Sequence, residues 1–104
     1  MFKITQGKGF HIAFENGYTV SVQFGYGNYC DNKHASPPDT TSKGYEYHQK
    51  TLGETGSSDA EVAVWNPEGD MICAKEYGEC GSDTVAGWLL PAEVVKVLVW
   101  AESQ

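Results

Sequence analysis

Long apolar runs are missing from this sequence. Nowhere do about 18 apolar residues follow one another, so no helix is expected to span a bilayer. A basic segment leading into an apolar one is missing from the start as well, where Met1-Phe2-Lys3 runs into polar residues, so no export signal is expected. Basic residues are scarce, 7 against 14 acidic ones in 104 residues, which leaves a net charge of -7. Direct nucleic-acid binding is therefore not expected, because it relies on lysine and arginine neutralising phosphates. Cysteines number three, Cys30, Cys73 and Cys80. An odd count without an export signal reads as free thiols in a reducing interior, and the cytosol is the expected compartment.

Chemical motifs are equally thin. A zinc site from Cys30, His34, Cys73 and Cys80 is conceivable, but it lacks the two close ligand pairs of structural zinc sites. Cys73, within Met71-Ile72-Cys73-Ala74, reads more simply as a small buried hydrophobe. Gly25-Tyr26-Gly27-Asn28-Tyr29-Cys30 has alternate glycines but not the spacing of a dinucleotide or phosphate loop, and no helix is expected behind it. Cys30 with His34 or His48 lacks a strained elbow and an orienting third group. His11, on the polar side of its strand, is expected to face solvent. No catalytic residue, cofactor or metal is assigned, and the chain is read as a non-enzyme.

What is present is a folding pattern. At 104 residues the chain is long enough for one domain with its own core, spanning residues 1–104. Phe10, Ile12 and Phe14 alternate with His11 and Ala13; beyond Glu15-Asn16-Gly17, Tyr18, Val20, Val22 and Phe24 alternate with Thr19, Ser21 and Gln23. That is a β-hairpin. A two-residue loop would mix polar and apolar residues on both faces. A three-residue loop closed by Gly17 in the left-handed region sets Phe14 opposite Tyr18, Ile12 opposite Val20 and Phe10 opposite Val22, making one face wholly apolar. A short strand is expected at residues 2–5.

A second hairpin is predicted over residues 60–75, because Asn66-Pro67-Glu68-Gly69 suits a type I turn. Its expected pairs are Val64 with Ile72, Val62 with Ala74, Trp65 with Met71 and Glu61 with Lys75. Either this hairpin is sandwiched in the fold, or Trp65 and Met71 form an exposed patch. Pro91–Glu102 is the predicted helix, with Pro91 in the first turn, Glu93 close behind and Leu90 as a poor cap. Leu90, Val94, Val97, Leu98 and Ala101 form its expected packing stripe; the period-two valines Val95, Val97 and Val99 argue for a competing strand. Residues 26–59 read as a long irregular loop carrying the island Tyr45-Glu46-Tyr47-His48. The expected fold is α+β: an antiparallel sheet of about five strands on two hairpins, with one C-terminal helix on one face.

The charge is concentrated. Residues 54–83 hold Glu54, Asp59, Glu61, Glu68, Asp70, Glu76, Glu79 and Asp83 against Lys75 alone, which equals the whole net charge of -7. A solvated acidic face is one reading. The other is a negative surface steered onto a basic patch of a partner protein, with Trp65, Glu68, Asp70, Met71, Glu76, Glu79 and Asp83 as contact residues. An alternative is a small-ligand or nucleotide-sequestering site made by Tyr26, Asn28, Tyr29, Tyr45, Tyr47 and His48, since tyrosines offer rigid stacking area with a polar tip. A structural or assembly role is the third reading, and the oligomeric state is left open.

The stretch Gly9-Phe10-His11-Ile12-Ala13-Phe14-Glu15-Asn16-Gly17-Tyr18-Thr19-Val20-Ser21-Val22-Gln23-Phe24-Gly25, followed by Asn28-Tyr29-Cys30, resembles small uncharacterised proteins encoded by bacteriophages. Ala63-Val64-Trp65-Asn66-Pro67 and Gly87-Trp88-Leu89-Leu90-Pro91-Ala92-Glu93 extend that resemblance. It implies an accessory protein acting in the host cytosol that disarms a host-defence protein by binding, as anti-CRISPR proteins do.

Overall fold

A computed structural model of the chain describes residues 1–5, 8–34, 56–73 and 84–104. In chain order the elements are β1 (Phe2–Ile4), β2 (Gly9–Ala13), β3 (Thr19–Gln23), β4 (Ala60–Trp65), β5 (Met71–Ile72), β6 (Ala86–Leu89) and α1 (Pro91–Glu102). The fold is α+β, an antiparallel sheet roofed on one face by the C-terminal helix. Strands follow the order β1-β2-β3-β4, and the outer edge of β4 is shared by β5 and β6.

The first hairpin has the three-residue register. Phe10 pairs with Val22 and Ile12 with Val20; Phe14 N–H donates to the Tyr18 carbonyl at 2.9 Å, and Gly17 turns at φ +92°. That conformation is strained for any residue with a Cβ. The register continues into β4, where Val20 meets Val64 and Val22 meets Val62. Paired residues of neighbouring strands share a face. One face therefore collects Phe10, Ile12, Val20, Val22, Val62, Val64 and Ile72, and α1 closes it over β3, β4 and β6. On β1, Phe2 and Ile4 share that face but stand clear of the helix, and both are exposed.

The second hairpin is shorter than its sequence pattern predicts. Val64 pairs with Ile72 and Trp65 with Met71, as expected. Below them the expected pairing of Val62 with Ala74 is replaced: Val62 pairs with Ala86 and Ala60 with Leu89, with an irregularity between the two pairs. Strand β6, absent from the sequence expectation, takes this half of the edge and buries Ala86 and Leu89 in the core as it leads into α1. Lys75, the expected partner of Glu61, lies outside the described residues, as do Ala74 and the island at 45–48.

Helix α1 occupies Pro91–Glu102, so the competing strand pattern of its valines does not prevail. Val97 and Ala101 are fully buried, with Val94 and Leu98 packed beside them, whereas Val95 and Val99 face solvent. Burial of a valine side chain such as Val97 contributes about 1.5–3 kcal/mol. Leu90 departs from the expected stripe. It sits at the N-cap with extended backbone (φ -69°, ψ 158°), which swings its side chain off the helical row and leaves it 55% exposed. Leucine has no acceptor to cap with; instead Glu93 Oε1 reaches back to accept the Leu90 N–H at 3.0 Å. At the other end, Asn16 Nδ2 donates to the carbonyls of Ala101 (2.8 Å), Glu102 (3.2 Å) and Gln104 (3.2 Å). The first hairpin thus supplies partners for the orphan carbonyls of the helix C-terminus. Tyr18 adds an edge-on ring contact with Trp100 at 5.8 Å.

Candidate functional site

The tip of the second hairpin is built around Asn66. Its Oδ1 accepts the N–H groups of Glu68 (3.1 Å) and Asp70 (2.9 Å), while its backbone exchanges hydrogen bonds with Gly69 (3.0 Å) and Asp70 (2.9 Å). Asparagine side chains organise turns in this way. The result is a well-tied turn from which Glu68 and Asp70 stand exposed. Trp65 and its cross-strand partner Met71 lie beside it on the face away from α1, Trp65 half-buried and Met71 39% exposed. His11 is half-buried on this same face, its ring 5.7 Å from that of Trp65. Together with Thr19, Gly17, Pro67 and Asn66, these rings line a shallow hollow of about 350 Å³. Glu76, Glu79 and Asp83, the other expected contact residues, lie outside the described residues.

Asp59 and Glu61 belong to the same acidic stretch of sequence but are committed elsewhere. Glu61 Oε2 accepts the Tyr29 N–H at 2.7 Å and Oε1 accepts from Asn28 Nδ2 at 3.4 Å. Asp59 Oδ1 accepts the Asp31 N–H at 2.7 Å, and Asp31 in turn accepts from the Ser58 hydroxyl. These carboxylates hold the segment of residues 25–34 against the N-terminal half of β4. Within that segment the Gly25 N–H donates to Asn28 Oδ1 (3.1 Å) and the Asn32 amide donates to the Phe24 carbonyl (2.7 Å).

Of the residues expected for a ligand site, Tyr26, Asn28 and Tyr29 fall in this segment; Tyr45, Tyr47 and His48 lie outside the described residues. Tyr26 carries Lys8 Nζ 4.2 Å from its ring centroid. Asn28 is a structural tie. Tyr29 stacks on Trp88 of β6, a residue that sequence reasoning misses as a site member. The one available signal, a tryptophan directly after glycine and before an apolar pair, does not separate a surface ring from a core one.

The cysteines correct another expectation. Cys30 is buried and free, its thiol donating to the Gly25 carbonyl at 3.6 Å and not to the exposed His34. Cys73 is disulfide-bonded. It is neither a free thiol nor a thiolate ligand, so the quartet Cys30, His34, Cys73 and Cys80 does not stand as a zinc site. Of the three thiols expected to be free, Cys30 is free, Cys73 is not, and Cys80 lies outside the described residues.

A second hollow, of about 380 Å³, opens between the start of α1 and the sheet; Val22, Phe24, Leu89, Pro91 and Val94 line it, with Ser58 and Asp59 at its side. No family model, curated protein or solved structure matches this chain.

Proposed function

We propose that the protein is a non-catalytic binding protein that sets the tip of its second hairpin on a basic surface of another protein. The observation that carries this reading is the juxtaposition of exposed Glu68 and Asp70, on the turn organised by Asn66, with the apolar pair Trp65 and Met71. Acidic groups around a desolvated aromatic anchor combine steering with a hot spot. Glu76, Glu79 and Asp83 follow in sequence and add to the negative charge. From the resemblance to phage-encoded proteins, the partner is a host-defence protein, and the setting is the host cytosol.

The test is capture of a partner from host lysate, with Asp70→Lys, Glu76→Lys and Glu79→Lys combined as one control and Trp65→Ala as the other. Capture weakens in both controls. For the isolated complex, affinity falls as ionic strength rises, because exposed charge pairs are screened within roughly 10 Å at 0.1 M salt. An affinity that is the same at low and high salt overturns the electrostatic reading.

A further inference from the structure

The segment of residues 25–34 and strand β6 bring together three side chains that the hairpin tip does not use. Tyr29 and Trp88 stack with ring centroids 5.6 Å apart and planes 16° from parallel. Lys33 Nζ lies 5.0 Å from the Tyr29 centroid and 5.7 Å from that of Trp88. Stacking covers one side of the indole, yet Trp88 remains 50% exposed. A planar π surface therefore faces solvent beside a lysine ammonium.

Two further features mark this as a held arrangement. Trp88 is the one described non-glycine residue with positive φ, at 54°, a conformation that bulky residues adopt only under constraint. Its N–H donates to the Tyr29 carbonyl at 2.8 Å, which couples the strained residue to the ring it stacks on. Strain of this kind collects at ligand clamps, where the surroundings over-determine the backbone. Among the described residues the nearby carboxylates are also engaged: Glu61 by the Tyr29 N–H, Asp59 by the Asp31 N–H and Asp31 by the Ser58 hydroxyl. Lys33 rests instead on π faces, and its ammonium carries three N–H donors.

We infer that Trp88, Tyr29 and Lys33 form a binding site for a small planar aromatic anion of the mononucleotide class. The base stacks on the open face of Trp88 and the phosphate takes the Lys33 ammonium. Stacking on an aromatic side chain is tolerant of base identity, so little discrimination among bases is expected. The net charge of -7 limits the size: Lys33 offsets part of the roughly -2 charge of a single phosphate, while a polyanion is repelled by the molecule as a whole.

Calorimetric titration of the full chain with AMP, adenosine, inorganic phosphate and a short single-stranded RNA tests this. AMP binds, and adenosine and phosphate alone bind at least about tenfold more weakly, as loss of either half of a stacked, charge-paired contact implies. Lys33→Gln lowers AMP affinity to that of adenosine. Trp88→Gly removes binding while keeping a residue suited to φ 54°, and far-UV circular dichroism checks that each variant is folded. The inference is overturned if AMP does not bind at millimolar concentration, if both folded variants bind AMP like the parent, or if the RNA binds more tightly than AMP. None of these residues belongs to the hairpin tip, so this result and the partner-capture result stand or fall separately.

Discussion

The carboxylate of Glu61 on β4 accepts the backbone N–H of Tyr29 at 2.7 Å. A central strand thereby fastens the segment that carries Tyr29, Cys30 and Lys33. Hydrogen bonds to charged groups contribute about 1.5–3 kcal/mol. Glu61→Ala is expected to lower stability by about that amount, read from the urea midpoint, and to speed hydrogen exchange at the Tyr29 amide. Glu61→Gln keeps an acceptor and loses less. An unchanged midpoint for Glu61→Ala means that the segment is held by other contacts.

Asn16 ties the first turn to the helix end through one amide. Its Nδ2 donates to the Ala101 and Glu102 carbonyls at the end of α1 and to Gln104 O just beyond it, and its Oδ1 accepts the Tyr18 N–H at 3.0 Å. Asn16→Ala is expected to cost about 1–2 kcal/mol in chemical denaturation. Asn16→Asp keeps the bond to Tyr18 but sets a negative charge against the negative end of the helix dipole. It is therefore expected to destabilise at least as much as alanine does, and a variant of parental stability contradicts this account.

Trp88 carries its strain in the backbone. Trp88→Ala loses the stack on Tyr29 and keeps the unfavourable φ of 54°, whereas Trp88→Gly loses the stack and relieves the strain. Left-handed backbone costs a residue with a Cβ roughly 1–2 kcal/mol. The glycine variant is thus expected to melt at the higher temperature of the two, and the reverse order in calorimetry refutes the strain.

The first hairpin is legible in the sequence because two runs of alternating residues admit one register that puts Phe10, Ile12, Val20 and Val22 on a single face. The helix is legible from Pro91, Glu93 and the row of Val94, Val97, Leu98 and Ala101. Strand β6 is not. Ala86-Gly87-Trp88-Leu89 has too short a run for a period, contains a glycine, and pairs with Ala60 and Val62 far away in the chain. That non-local pairing also decides where β5 stops. The hairpin tip can be found from Asn66-Pro67-Glu68-Gly69 and its neighbours, since turn chemistry is local. The Tyr29–Trp88–Lys33 cluster cannot, because residues from two distant segments meet there through a backbone conformation that tryptophan rarely adopts.

Cysteine chemistry separates the two described thiol positions. In denaturant without reductant, Cys30 is expected to react with a thiol reagent, whereas Cys73 reacts only after a reductant is added. In the folded protein Cys30 is 1% exposed and is expected to stay unreacted until denaturant is added. Peptide mapping of the alkylated protein reads both outcomes. Labelling of Cys73 before reduction rules the disulfide out.

The outer edge of β4 is divided between a two-residue strand that belongs to the hairpin tip and a four-residue strand that leads into the helix. Each half keeps its own register, and Ile72 is the residue by which the shorter half joins the core. The turn beyond it, from Asn66 to Asp70, is thereby a cassette on a fixed chassis: it can be recoded without renegotiating the core.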